Sequence, residues 1–385
     1  MLIKNRRVFN TDDLSRIGFP INKDKKGDPG NAVLEYIIMA NDYRLEQENK
    51  DKAKISDLLA TLPPYVSLYV NHINFSTTPK TRLEYVRDID SFLTYLFDTD
   101  EETYKSKKDI PIKRLNSLKL DHFNEYLNYL TMYKKNGQIR ANSNVSVRRK
   151  LSSLRSFFNY LFINDMIDSN QIQKVKIPAF KKKNIIRMDG DEVSDFMSAV
   201  EHGNGKMSEK QRAYFDKYAP RDTAIITLLL NTGIRVSELV GLDIKDIDFK
   251  RCGIKIVRKG GKEDVVYFND ETKEVLESYI EYRKNIEEIE GNENALFLSS
   301  RRSRITVRSV EILVKKYANA SAIVKKITPH KLRSTYGTDL YESTSDIGLV
   351  AEVLGHESVQ TTRKFYTEIS DKHKFENRNA VKRRG

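Results

Sequence analysis

Thr232-Gly233-Ile234-Arg235-Val236-Ser237-Glu238-Leu239 closes a helical pattern that covers about 220 to 232. Gly233 is the stop signal, because a helix end favours a left-handed residue and glycine adopts that conformation without a Cβ clash. Arg235 therefore stands just past a helix end, where a side chain can project into a cleft. Downstream, Ile254 to Arg258 and Asp264 to Phe268 read as two strands around Lys259-Gly260-Gly261-Lys262, a small hairpin. Helical patterns resume at about 270 to 288, 307 to 320, 329 to 342 and 346 to 354. Upstream, Asp189-Gly190-Asp191-Glu192 is a capping box that opens a helix over about 189 to 200. Residues 187–370 thus form a mixed domain, mainly α with one β-hairpin.

The half before it is all-helical. Thr78-Pro79 fits an N-cap followed by proline at the first helical position, and Leu83, Val86, Ile89, Leu93 and Leu96 make one apolar stripe behind it. Phe123, Tyr126, Leu127 and Leu130 mark a second helix, stopped by Asn136-Gly137, and Val147, Leu151, Leu154, Phe158 and Leu161 mark a third. The third helix carries Arg148, Arg149, Lys150 and Arg155 on its other face, either a solvated surface or a set of phosphate contacts. These helices define a domain over 61–173. Residues 1–60 read as a partly helical extension, 174–186 as an extended basic linker holding Lys181, Lys182 and Lys183, and 371–385 as a polar tail.

Lys and Arg number 67 against 54 Asp and Glu, a formal charge of +13 over 385 residues, which suits a polyanionic partner, nucleic acid first among them. The single cysteine, Cys252, excludes an intrachain disulfide and any zinc site built on clustered cysteines, and points to a reducing cytosol. The basic N-terminus lacks an apolar core of signal-peptide length, and no segment approaches a membrane span, so a soluble cytoplasmic protein is expected.

Breaking DNA without a metal requires stabilising the negative charge that builds on a phosphate passing through a five-coordinate state. Two guanidinium groups suit the task, being permanently charged and able to fork onto the nonbridging oxygens. A nucleophile, a proton acceptor and a proton donor complete the set. Arg235, Lys259, His330-Lys331-Leu332-Arg333, Leu354-Gly355-His356 and Tyr366 supply those residue types. Each alone has an ordinary explanation. Arg235 can pair with Glu238 on a turn, His330 can cap a helix, Gly355-His356 can simply end one, and Tyr366 can pack in a core.

In joint order and spacing they resemble the tyrosine recombinases of the phage integrase family, whose pattern is T-G-x-R-x-S-E-L, a hairpin lysine, H-x-x-R, L-G-H and a C-terminal tyrosine. Lys259 lies 24 positions after Arg235, at the hairpin tip where the family keeps it. Arg149 to Leu161 resembles the last long helix of the family's SAM-like core-binding domain. Arg221 to Ile226 and Arg258-Lys259-Gly260-Gly261-Lys262, with a charged insertion at about 201 to 219, resemble the XerS-like branch of the Xer recombinases.

The resemblance implies a core-binding domain and an α+β catalytic domain closing as a C-shaped clamp on double-stranded DNA at specific sites. It implies a homotetramer working through a Holliday junction, with no metal, cofactor or ATP. It implies Tyr366 as nucleophile, Arg235 and Arg333 on the nonbridging oxygens with His356, Lys259 as general acid and His330 as proton acceptor. Two departures stand out. His356 to Tyr366 is 10 positions, one more than the usual spacing of about nine, and Ser334 follows Arg333 where many relatives carry a second histidine. A type IB topoisomerase would share the chemistry, and a DNA-binding module derived from a recombinase would keep the fold without it. Chromosome dimer resolution and integration or excision of a mobile element are both open as biological roles.

Overall fold

The computed structural model describes residues 42–100, 103–135, 138–176, 186–203, 205, 207–258, 261–321, 323–356 and 360. Of the sequence candidates, Lys181, Lys182, Lys183, Lys259 and Tyr366, like the 371–385 tail, lie outside them. The chain divides into two compact units, residues 1–182 and 183–385.

Described helices of the first unit are α1 (Asp42–Ala60), α2 (Pro64–His72), α3 (Pro79–Thr99), α4 (Ile112–Asn116), α5 (Leu120–Thr131) and α6 (Asn144–Ile163). Thr78 caps α3 through its hydroxyl, with Pro79 at the first helical position, and Ser143 caps α6 in the same way. Every residue of the α3 and α6 stripes is buried, and Phe92, Phe123, Tyr126 and Phe158 interlock among them. Phe92 meets Tyr126 edge-on at 5.0 Å, and Phe123 meets Phe158 edge-on at 5.1 Å. Ile55 of α1 belongs to this same core, so the helix preceding residue 61 packs as part of the unit. Asn136 and Gly137, expected to stop the second helix, lie outside the described residues. α5 stops at Thr131, and two three-residue strands, β1 (Tyr133–Lys135) and β2 (Gln138–Arg140), flank the pair in antiparallel register. An Asn-Gly pair is the strongest short hairpin signal, but strands this short leave no alternating pattern in the sequence.

The second unit holds α7 (Gly190–His202), α8 (Glu209–Thr232), α9 (Val236–Val240), β3 (Ile247–Asp248), β4 (Gly253–Val257), β5 (Glu263–Tyr267), α10 (Asp270–Arg283), α11 (Val307–Ala320), α12 (Pro329–Thr344) and α13 (Ile347–Val353). Asp189 and Glu192 form the capping box of α7, each bonding the other's backbone N–H. α8 is the central helix, its second half buried on nearly all sides through Ala224, Ile225, Ile226, Leu228 and Leu229, and it packs on α7, α10 and α12. It starts well before the sequence pattern indicates, taking in about half of the expected 201–219 insertion and passing through Pro220. The antiparallel sheet runs β3-β4-β5, with Ile254 opposite Val266 and the inner residues Ile254, Ile256 and Val266 buried. Its third strand, two residues long, has no sequence signature.

Candidate active site

Two helix ends build the site. α8 ends at Gly233, whose φ of +60° caps it, and Arg235 opens α9 two residues later. α13 ends in the same manner. Gly355 takes φ +57°, its N–H bonds the Glu352 carbonyl, and the His356 N–H reaches back to the Ala351 carbonyl at 2.9 Å. That is the six-to-one closure of a glycine-terminated helix, which leaves the last carbonyls facing outward as acceptors.

Three arginines from separate elements take those carbonyls. Arg235 donates to Gly355 at 2.9 Å. Arg333, on α12 and 4% exposed, donates to Leu354 and also to Gly233, tying the two helix ends together. Arg258, at the end of β4, donates to Val353 at 2.8 Å and Leu354 at 3.4 Å. A negative helix end suits cations, so this turn gathers three guanidinium groups that would otherwise repel. Glu238 sits beneath them, its carboxylate accepting from the Arg235 backbone and side chain at 2.8 Å each and lying 3.5 Å from Arg258. The ordinary explanation weighed for Arg235, a pair with Glu238, is thus present, yet it holds the guanidinium in the site.

His330 follows Pro329 in the first turn of α12 and keeps an exposed edge. Partial burial of its ring, then Lys331, Arg333 and Arg235, lower its pKa. His356 is pushed from 6.5 down to about 4, first by burial and then by Arg333, Arg235, His330 and Arg258. Burial first, and then a concentration of positive charge that an anion would relieve, disfavour the protonated form of both imidazoles. Ser334, the departure from the family pattern, turns its hydroxyl back to the His330 carbonyl at 2.9 Å, and Arg333 is held by main-chain carbonyls instead.

Arg235, His330, Arg333 and His356 are thus brought to one place. Sequence reasoning did not single out Glu238 or Arg258 as part of it. Both lie within stretches it did quote, but their burial is a tertiary property.

The basic face of α6 is divided. Arg149 forks onto Asp88 at 2.7 and 2.8 Å, Lys150 approaches the same carboxylate at 3.3 Å, and Ser153 donates to it at 2.7 Å. Asp88 is 0% exposed, so these bonds neutralise a buried charge. Arg149 keeps 45% of its side chain exposed, and Arg148 is exposed. Arg155 turns away and donates to the Val175 carbonyl at 2.6 Å and the Ile172 carbonyl at 3.4 Å, an internal brace for the segment that ends the unit. Among the described residues no three His, Cys, Asp or Glu side chains gather as a metal site, and no helix is long and apolar enough to cross a membrane.

Residues 187–373 match the model of the phage integrase family, and residues 61–177 match the phage integrase SAM-like domain. Tyrosine recombinase XerS of Streptococcus agalactiae serotype III (strain NEM316) is 32% identical over 344 residues, covering 83% of this chain and 96% of the relative. The chain belongs to the phage integrase family of tyrosine recombinases. XerS of Streptococcus thermophilus (strain CNRZ 1066) is likewise 32% identical, over 348 residues and 83% of this chain. Among solved structures, the Tn1549 transposon integrase in complex with circular intermediate DNA matches with TM-score 0.56 at 22% identity, covering 79% of this chain and 95% of that one. XerH site-specific recombinase bound to its difH substrate matches with TM-score 0.53 at 21% identity, covering 76% and 78%. Both share the fold expected from the sequence, a SAM-like helical domain followed by an α+β catalytic domain.

Proposed function

We propose that this recombinase cuts and rejoins double-stranded DNA at specific sites through Tyr366. The tyrosine oxygen attacks the scissile phosphorus, the bond to the 5′ oxygen breaks, and a 3′-phosphotyrosyl link stores the bond energy until a 5′-hydroxyl reverses the step. His330, neutral at pH 7, accepts the tyrosine proton, which an unperturbed phenol of pKa about 10 does not surrender readily. Lys259 supplies a proton to the leaving 5′ oxygen. Arg235 and Arg333 meet the nonbridging oxygens, and neutral His356 donates one further hydrogen bond there. The observation that carries this reading is the convergence of Arg235, Arg333, His330 and His356 on the two glycine-capped helix ends.

Both units contact the duplex, with Arg148, Arg149 and Lys150 of α6 and Lys181, Lys182 and Lys183 of the basic 174–186 segment meeting phosphates. Four protomers act on two sites through a Holliday junction in the cytoplasm. The resemblance to XerS leads us to read the role as chromosome dimer resolution, with integration or excision of a mobile element as the second reading. A gene neighbourhood of excision or conjugation functions would select the second.

The chemistry is tested by incubating the full chain with a random-sequence duplex pool in EDTA and recovering DNA that stays bound after denaturation. Recovered DNA should share a common sequence. A DNA-binding module without chemistry would recover none.

A further inference from the structure

Arg258 is 8% exposed, yet its guanidinium contacts four groups from three separate segments. Its Nε donates to Asp264 across the hairpin at 3.0 Å, its Nη2 to the Val353 carbonyl at 2.8 Å and its Nη1 to the Leu354 carbonyl at 3.4 Å, with Glu238 3.5 Å away. Its backbone closes the base of the hairpin turn, donating to the Lys262 carbonyl at 2.8 Å and accepting from Gly261 at 3.1 Å. The fit against the α13 end is close. A Cβ on Gly355 would stand 2.7 Å from the Arg258 Cζ and Nε atoms, so a side chain there would push the guanidinium from its place as well as strain the positive φ.

We infer that Arg258 is a positioning residue for strand cleavage, a guanidinium fork that fixes the Gly355-His356 turn against the hairpin and against Glu238, and so sets where His356 and Arg235 meet the phosphate. This rests on the recombinase reading above. The described contacts of the Arg258 guanidinium are all to the chain itself. It acts through the carbonyls of residues 353 and 354, next to the Gly355 carbonyl that Arg235 uses, and through the carboxylate that holds Arg235. A lysine keeps the charge but offers one centre where the structure uses a planar fork with three donors.

The test compares the wild-type full chain with Arg258→Lys and Asp264→Ala on a duplex that the wild type converts to covalent adduct. Asp264 is more exposed than Arg258, so its removal loosens the fork with less risk to folding. Single-turnover adduct formation at saturating DNA should fall by about 10²-fold in Arg258→Lys, the scale on which small misplacements act, and by less in Asp264→Ala. The dissociation constant for the same DNA should stay unchanged. In the DNA-free chain, the His356 ring followed by NMR should titrate well above the wild-type value in Arg258→Lys, because a loosened turn exposes it.

Adduct formation at the wild-type rate in both variants overturns the inference. So does a loss of rate with His356 titrating as in the wild type, or a loss of affinity equal to the loss of rate. A wild-type chain that forms no adduct on any DNA removes the recombinase reading and this inference with it, an outcome distinct from a wild-type adduct that the variants share.

Discussion

Under the proposed mechanism Arg235 and Arg333 serve the same chemistry from different surroundings, so their replacement by alanine should not look the same. Arg235 keeps 36% of its side chain exposed, and its loss leaves Glu238 with Arg258 as a neighbour. Arg235→Ala should retain DNA affinity and a near-native melting temperature while adduct formation falls by about 10²–10³-fold, the cost of one lost transition-state donor. Arg333→Ala also strips the buried Gly233 carbonyl of its donor, at about 1–3 kcal/mol, and leaves the Leu354 carbonyl with only the 3.4 Å bond from Arg258, so it should show a lowered melting temperature together with the loss of cleavage. Equal loss of binding and cleavage in Arg235→Ala would make that residue an ordinary phosphate anchor. His356 gives a pH signature. Its folded pKa of about 4 lies below the unfolded 6.5, so between those values the unfolded chain binds a proton that the folded chain refuses, and stability falls as pH falls. Asp339 acts in the opposite sense, raised to about 6 by burial and Glu342, and lends stability below that pH. Urea unfolding at pH 5 and pH 7 in wild type and His356→Gln isolates the histidine. The variant should lose less stability on acidification.

Gly233 and Gly355 show how the elements depend on single backbone conformations. A Cβ on Gly233 would stand 2.4 Å from the Tyr336 ring and 2.9 Å from Leu354. Gly233→Ala therefore adds a left-handed penalty of about 1–2 kcal/mol to overpacking of about 1–3 kcal/mol. Chemical unfolding should register the sum, and a change below about 1 kcal/mol would mean that the contact relaxes freely. These ends were legible because glycine after an apolar helical run has one dominant cause, and the hairpin was legible because strand residues bracket Lys259-Gly260-Gly261-Lys262. Other elements were not. Pro220 reads locally as a helix boundary, yet α8 runs through it, and the charged first half of that helix carries little apolar periodicity to announce it. Glu238 was visible in the motif, and Arg258 in the hairpin turn, but only the packed structure shows both guanidinium-rich elements meeting the end of α13.

Over the whole molecule the excess of 13 positive charges suits phosphate contact, and DNA affinity should fall steeply with salt, with a logarithmic slope of about −0.9 for each phosphate neutralised. The structure divides the basic face of α6 into different outcomes. Arg148→Ala and Arg149→Ala should each reduce that slope by about one. Arg155→Ala should leave the slope and cost stability, because its donors serve the 172–175 carbonyls. A flat salt response would count against phosphate contact by either unit. The central claim is a covalent step at Tyr366, the one tyrosine after His356 and the residue with the irregular spacing. Peptide mapping of the wild-type protein–DNA adduct, formed in EDTA, tests it most directly. The nucleotide should be found on Tyr366, and Tyr366→Phe, which keeps the ring and removes the attacking oxygen, should bind the same DNA and form no adduct. A nucleotide mapped to another residue, or an adduct that survives Tyr366→Phe, would contradict the account.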